Sequence, residues 1–138
     1  LLNMGTPNYL ISAALTLIMA QRLARKTCLD CRIIDENITP KLLNSIGFLP
    51  EQSARAKIYK GSGCEVCSGS GYKGRMGIYE ILEIDNELKA GVLSNLQQTE
   101  LNAIAKKNGF RTMQDMGQDL LLSGDLSFAE YERVLQSN

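Results

Sequence analysis

The chain has 138 residues, and its four cysteines form two identical Cys-x-x-Cys pairs, which constrain the fold more than any other feature. A Cys-x-x-Cys turn directs both sulfurs toward one point, so each can lie about 2.3 Å from a shared zinc ion. The chain has no histidine that could replace a thiolate. The pattern therefore predicts one closed, structural tetrathiolate zinc site, with the ligands Cys28, Cys31, Cys64 and Cys67.

Three other roles for the cysteines remain open at this point: two disulfides, redox-active pairs, or buried thiols without a ligand. The chain begins without a secretory signal pattern, which favours a reducing compartment and argues against disulfides. The 32 residues between Cys31 and Cys64 exceed the usual spacing of zinc ribbons and slightly weaken the zinc prediction. A catalytic zinc is not expected, because it would need an open fourth position.

Charge and hydropathy exclude several kinds of partner. The formal net charge is zero, although the segment from Arg22 to Arg75 carries ten Lys or Arg against five Asp or Glu. A neutral chain with few aromatic residues near its cysteines is a poor nucleic-acid platform. The longest apolar run, from Tyr9 to Ala20, falls short of the roughly 20 residues that span a bilayer. We expect no transmembrane segment and no nucleic-acid partner.

Short helices and strands are predicted around the cysteine pairs. The segment Leu17–Arg25 is ambiguous, because its alternation indicates a strand and its composition favours a helix. Strands are predicted at Lys57–Lys60 and, as a buried strand, at Met76–Ile84. Polar residues that precede apolar periodic segments predict helix starts. These residues are Thr6, Thr39, Asp85, Thr99, Thr112 and Ser127.

No catalytic or nucleotide-binding residue is predicted in the chain. The glycine-rich run from Gly69 to Gly77 precedes a strand and lacks the P-loop pattern, so a structural turn is favoured over a phosphate site. Without histidine, no Ser/His/Asp or Cys/His arrangement can form. Helix capping or solvation is the better interpretation of the acidic residues near the end of the predicted strand. These are Glu80, Glu83, Asp85 and Glu87.

Several segments together resemble the secretion ATPase family of the PilB and GspE type, over essentially the whole chain. Any one of them would be weak, but their order and combination are specific. The segments are Leu1-Leu-Asn-Met-Gly5, Tyr9-Leu-Ile-Ser, Ala20-Gln-Arg-Leu23, Cys28-x-x-Cys31, Cys64-x-x-Cys67, Gly71-Tyr-Lys-Gly-Arg-x-Gly-Ile-Tyr-Glu80 and Gly109-Phe-Arg-Thr-Met113.

The resemblance implies an α/β fold that is the C-terminal part of a RecA-like motor domain. Residues 1–27 would supply a helix and a strand of that domain, and residues 28–67 an inserted zinc-binding module. Residues 68–85 would form the returning strand, and residues 86–138 a C-terminal helical subdomain. The resemblance also favours the strand alternative for roughly Thr16–Arg25, paired with a strand that begins near Arg75.

The resemblance further implies an ATPase that powers type IV pilus assembly or type II secretion. Such proteins work as hexamers on the cytoplasmic face of the inner membrane, where they turn against a platform protein and add pilin or pseudopilin subunits. The P-loop, Asp box, Walker B motif and histidine box are absent and would lie upstream of Leu1. We therefore expect the chain alone not to hydrolyse ATP. Zinc is its expected cofactor, with ATP and Mg²⁺ bound only by the full-length protein.

Two zinc-knuckle binding modules are the alternatives. The segment from Cys64 to Gly71 fits the Cys-x-x-Cys-x-Gly-x-Gly repeat of DnaJ-type chaperones, but those regions need four repeats for two zinc ions. A zinc ribbon that binds nucleic acid is disfavoured by the neutral net charge. A zinc stoichiometry of two would favour the chaperone, and salt-dependent binding of DNA or RNA would favour the ribbon.

Overall fold

The computed structural model describes residues 5–136, in which short helices alternate with four strands. The strands are β1 (Leu17–Thr27), β2 (Arg32–Ile34), β3 (Tyr59–Gly61) and β4 (Tyr72–Glu83). The helices are α1 (Asn8–Ala14), α2 (Pro40–Ser45), α3 (Pro50–Arg55), α4 (Asn86–Leu93), α5 (Gln98–Lys107), α6 (Met113–Ser123) and α7 (Phe128–Tyr131). A 3₁₀ turn covers Glu65–Cys67, and a π-helical segment, Glu132–Gln136, follows α7.

Strands β1 and β4 form a two-stranded antiparallel sheet. The N–H of Ile84 donates to the carbonyl of Thr16 at 3.0 Å, and the N–H of Cys28 donates to the carbonyl of Gly71 at 2.9 Å. Each bond joins the beginning of one strand to the end of the other, which is the antiparallel arrangement. The strand alternative for the ambiguous segment and its predicted pairing are therefore confirmed.

A second small sheet pairs β2 with β3, in a register that places Arg32 opposite Gly61 and Ile34 opposite Tyr59. The sequence predicted β3 two residues too early and did not predict β2, because a three-residue strand is too short to show alternation. Within residues 5–136 both sheets have two strands. A larger RecA-like sheet therefore stays a prediction.

Strand β4 is less buried than its composition predicted. Ile78 is buried, whereas Tyr79 and Ile81 keep 37% and 47% of their surface exposed. Branched and aromatic residues favour the pleated backbone of a strand even where no second layer covers them. The predicted strand is thus confirmed, and its predicted burial is wrong for these residues.

Three of the predicted helix caps are present. The side chains of Thr39, Asp85 and Ser127 each accept a hydrogen bond from the backbone N–H three residues later. These bonds satisfy N–H groups that have no partner within the first helical turn. Helix α6 also begins at Met113, directly after the predicted start at Thr112.

Two predicted caps are wrong. Helix α1 has Pro7 at its N-cap position and no side-chain cap from Thr6. Helix α5 begins before Thr99, because Gln97 occupies the N-cap position. The N–H of Gln97 donates a hydrogen bond to the side chain of Glu100 at 2.8 Å. This bond fixes the helix start two residues before the threonine that was predicted as its cap. Helix α3 was not predicted, because its six residues are too few to show periodicity.

The contacts divide the chain into two compact units. The first contains the described residues up to Ala20 and the segment Tyr79–Thr112, and its buried residues include Ile11 and Leu88. The second contains Gln21–Ile78 and the described residues from Met113 onward. These units group the elements differently from the four segments implied by the resemblance. Those segments describe domains of a longer protein and stay a prediction.

The second unit contains a fully buried carboxylate, Glu130 on α7. The backbone N–H of Arg25 donates to it at 2.8 Å, and the guanidinium of the same residue donates at 2.7 and 3.0 Å. The guanidinium of Arg133 also donates to it, with its Nε at 2.9 Å. Burial alone would raise the pKa of this carboxyl, but the bonds from Arg133 and Arg25 lower it from 4.5 to about 2.

We expect Glu130→Gln to destabilise the second unit by about 3 kcal/mol at pH 7, because it leaves two guanidinium groups without their buried partner. The folded-state pKa is depressed, so the stabilisation is complete above pH 4.5 and is lost as the pH falls toward 2. The difference between the wild type and the variant in urea unfolding, followed by circular dichroism, should therefore shrink from pH 7 to pH 3. The control is Glu51→Gln, on an exposed side chain of α3. A pH-independent difference would contradict this account.

Candidate metal centre

The ends of β1 and β2 and the 3₁₀ turn bring the four cysteines together. Cys28 directly follows β1, and Cys31 directly precedes β2. Cys64 is the N-cap residue of the 3₁₀ turn, and Cys67 is its last residue. The four sulfur atoms all lie within 4.8 Å of one another, and Cys28 and Cys67 are buried. The structure thus brings together every residue that the sequence predicted as a ligand.

The sulfur separations match a tetrahedral metal site. The Sγ atoms of Cys28 and Cys64 are 3.9 Å apart, those of Cys31 and Cys67 3.8 Å, and those of Cys64 and Cys67 3.7 Å. Four sulfurs arranged tetrahedrally at about 2.3 Å from zinc would be about 3.8 Å apart. A disulfide needs about 2.05 Å, and all four cysteines are free. The donor set and its spacing therefore fit a single metal ion.

Backbone N–H groups support the thiolate form at one corner of the cluster. The N–H groups of Cys64 and Gly71 each donate to the sulfur of Cys67 at 3.2 Å. Burial opposes ionisation there, but these bonds lower the pKa of the Cys67 thiol to about 6. At another cysteine of the cluster, burial raises the pKa of the Cys28 thiol to about 12. A metal ion would have to displace the proton that Cys28 holds.

The glycines after the second cysteine pair have different roles at the cluster. Gly69 has a φ of +78°, in the left-handed region that glycine adopts without strain. Its own N–H, however, donates to the carbonyl of Cys64 at 2.8 Å. The donor to the sulfur is Gly71, two residues further along. The sequence signal for that role was the second glycine of Cys67-Ser-Gly-Ser-Gly71, which we had assigned to a turn.

Two backbone segments cross the cluster region at very close range. A Cβ atom added to Gly61 would lie 2.0 Å from the carbonyl oxygen of Gly71. A Cβ atom on Gly63 would similarly lie 2.6 Å from the carbonyl oxygen of Gly69. These contacts are between backbone atoms, which cannot rotate aside as a side chain can. The loop that carries Cys64 and Cys67 can therefore close only because the residues that flank it lack side chains there.

The basic residues close to the cysteines in the sequence have mainly other contacts. Lys60 forms an ion pair with Asp35 at 2.9 Å, and Lys26 lies 3.5 Å from Asp125. The guanidinium of Arg32 lies over the ring of Tyr59 and donates to the carbonyl of Ser123 at 3.3 Å. The remaining two residues of this set, both exposed, are Lys73 and Arg75.

Two of the acidic residues near the end of β4 have the structural roles that were predicted. Asp85 caps α4 and accepts a hydrogen bond from Asn108 at 2.6 Å. Glu87 forms an exposed ion pair with Lys107 at 3.1 Å. The carboxylate oxygens that an acid–base role would need are therefore engaged in structural contacts in both residues.

Nearly the whole chain matches a known protein family. Residues 1–133 match the family described as type II/IV secretion system protein. The chain belongs to this family. The resemblance to secretion ATPases is thus confirmed, and neither the chaperone zinc region nor the zinc ribbon is supported.

Members of the family with known roles match most of the chain. The type IV pilus assembly ATPase PilB of Thermus thermophilus is 35% identical over 127 residues, which is 92% of this chain and 14% of that protein. PilB of Pseudomonas aeruginosa is 36% identical over 97% of this chain and 23% of its own length. The type II secretion system protein E of Aeromonas hydrophila is 30% identical over 99% of this chain and 26% of its length.

The chain therefore spans between 14% and 26% of the length of these family members. Within residues 5–136, no helix has the length and apolar character needed to cross a bilayer.

We expect Gly61→Ala to lower zinc affinity by tenfold or more, because the added methyl group clashes with the carbonyl of Gly71 and opens the loop that carries Cys64 and Cys67, a change on the order of 1.4 kcal/mol. Competition with a chromophoric chelator measures the affinity. Gly74→Ala is the control, since Gly74 has a positive φ, which Gly61 lacks, and no neighbour within 4 Å of an added Cβ. Equal effects of the two substitutions would show that general backbone strain, and not the close approach, governs the site.

Proposed function

We propose that the four cysteines bind one structural Zn²⁺ and that the chain is the C-terminal part of an ATPase that powers pilus assembly or secretion. The family match over residues 1–133 carries the second part of this proposal. The relatives it matches are named as type IV pilus assembly ATPases or as type II secretion proteins. For the full-length protein we propose a hexamer that adds pilin or pseudopilin subunits at the inner membrane.

The proposed metal is zinc because four thiolates in a tetrahedral arrangement are its usual structural ligand set. The sulfur separations of 3.7, 3.8 and 3.9 Å support this choice. Four protein ligands fill the coordination sphere, so the ion would have no open position for substrate or water. Its contribution is to hold two distant segments of the chain together, and it takes no part in ATP chemistry.

The segment between β1 and β4, residues 28–71, forms an excursion from the β1–β4 sheet, and the proposed zinc would act at the base of this excursion. The N–H of Cys28 is bonded to Gly71 at the last rung of the β1–β4 sheet, so the excursion leaves and rejoins the sheet at one point. Zinc at this point would fix the ends of the excursion and leave the strand register undisturbed. This arrangement supports the proposed insertion of a zinc module between two strands of a RecA-like motor domain.

The excursion also presents charge to a partner. Lys57 and Lys73 are exposed, whereas Lys60 is already paired with Asp35. The excess of basic residues between Arg22 and Arg75 supports contact with an acidic surface. We propose that this surface belongs to the membrane platform protein or an adjacent subunit, with the motor bound peripherally at the cytoplasmic face of the inner membrane.

Elemental analysis of the chain should find one zinc per chain, and Co²⁺ in its place should give the absorption of a tetrahedral thiolate site. Cys64→Ser removes one of the four ligands and should abolish binding at stoichiometric metal. Ser62→Ala is the matched control, because its hydroxyl bonds only the carbonyl of Cys31. Two zinc ions per chain would support the chaperone alternative, and none would refute the metal site.

The longer protein that carries this chain should hydrolyse ATP, and the 138-residue chain alone should not, because it lacks a P-loop. In the longer protein, Lys57→Glu with Lys73→Glu should leave ATP hydrolysis unchanged and reduce fibre assembly and platform binding. Lys89→Glu, on α4 outside the excursion, is the control. Intact assembly in the double variant would refute the basic contact surface, and absence of hydrolysis in the longer protein would refute the motor.

A further inference from the structure

The C-terminal helices contact the chain directly beside the first cysteine pair. The N–H of Thr27 donates to the carbonyl of Asp125, in the α6–α7 connection, at 2.8 Å. The next residue, Cys28, donates through its N–H to the carbonyl of Gly71 at 2.9 Å. Two consecutive backbone groups thus join the end of β1 to the C-terminal helices on one side and to the second cysteine segment on the other.

A short chain of side chains joins the second cysteine pair to α7. Gly71, which donates to the sulfur of Cys67, is followed by Tyr72. The hydroxyl of Tyr72 lies 3.0 Å from the Oγ of Ser127, the residue that caps α7. The ring of Tyr72 lies 4.1 Å from the guanidinium of Arg25, which is close enough for a cation–π contact.

Arg25 connects this chain of contacts to Glu130. Glu130 is fully buried, and the backbone and side chain of Arg25 both donate to it. Because both groups of Arg25 bond one carboxylate, the direction of β1 three residues before Cys28 is fixed relative to α7. The carboxylate therefore sets the position of β1 and, through the ring of Tyr72, of β4.

Two further contacts connect the excursion to α6 independently of Glu130. Arg32, which follows Cys31, donates to the carbonyl of Ser123 at 3.3 Å. The side-chain amide of Gln118 donates to the carbonyl of Ile46, at the end of α2, at 2.9 Å. Arg32 follows the first cysteine pair by one residue and Tyr72 follows the second pair by five. Both side chains contact the C-terminal helices or their connection.

We propose that Glu130 is a positioning residue that couples the metal centre to the C-terminal helices α6 and α7, so that metal binding and the order of these helices rise and fall together. This inference rests on the proposed zinc site. Without metal, the two cysteine segments lose their common anchor, and the alignment of Arg25 and Tyr72 with α7 loosens with them. Because coupling between two sites is reciprocal, contacts that metal binding strengthens also strengthen metal binding, so loss of the Glu130 contacts should lower the metal affinity.

Amide hydrogen exchange of the chain, with zinc bound and after chelation, tests this coupling. Zinc removal should speed exchange in α6 and α7 roughly tenfold, within the range typical of coupled sites. Exchange in α4 and α5, which belong to the other compact unit, should change less. A chain that binds zinc but shows unchanged exchange in α6 and α7 would overturn the coupling alone. A chain that binds no zinc would overturn the metal site as well.

The variant Glu130→Gln tests the reciprocal direction. Its zinc affinity, measured by chelator competition, should fall roughly tenfold, and the dependence of its α6 and α7 exchange on zinc should decrease. Glu51→Gln, on an exposed side chain of the same unit, should match the wild type in both measurements. If Glu130→Gln does not fold, Arg133→Gln removes one of the two guanidinium partners and should give a smaller effect of the same sign. Wild-type zinc affinity in a folded Glu130→Gln variant would refute the assigned role.

Discussion

The approach of two backbone segments without intervening side chains underlies the arrangement of the cysteine region. Gly61 and Gly71 meet so closely that an added Cβ on the first would lie 2.0 Å from the carbonyl of the second. That contact closes the base of the loop that carries Cys64 and Cys67, where the N–H of Gly71 faces the sulfur of Cys67. Gly71 also accepts the N–H of Cys28, and Gly61 lies opposite Arg32, so both glycines adjoin the segments that carry the first cysteine pair. A side chain at either glycine would open this loop and displace the donors.

The sequence alone indicated that the four cysteines form one cluster, because two Cys-x-x-Cys turns without histidine leave few other ways to complete a four-ligand site. It also predicted the caps Thr39, Asp85 and Ser127, whose bonds are local. Several of its errors lie where the outcome depends on distant residues. The burial of β4 depends on what covers it, and β2 depends on pairing with β3. The bonds between Glu130 and Arg25 join residues more than 100 positions apart, so no local pattern could indicate them.

With the proposed metal bound, the second compact unit combines two kinds of stabilisation that differ in their sensitivity to conditions. The buried carboxylate of Glu130 keeps its charge down to about pH 2, since its pKa is depressed by two arginines. A tetrathiolate centre, in contrast, competes with protons for its sulfurs and loses metal as the pH falls. Mild acid would therefore release the metal while Glu130 keeps its charge. The protonation of the two sites can be separated experimentally by choice of pH.

Because the chain is synthesised from its N-terminus, the excursion delays the pairing of β1 with β4. Strand β1 ends at Thr27 and its partner β4 begins at Tyr72, so the excursion must leave the ribosome before the two strands can pair. At usual rates of translation this delay is roughly 2 to 9 seconds. During this interval Leu17 and Met19, exposed even in the folded chain, have no neighbouring strand. A metal ion captured by the cysteine pairs would bring the emerging β4 directly to the end of β1 and shorten the search for the correct register.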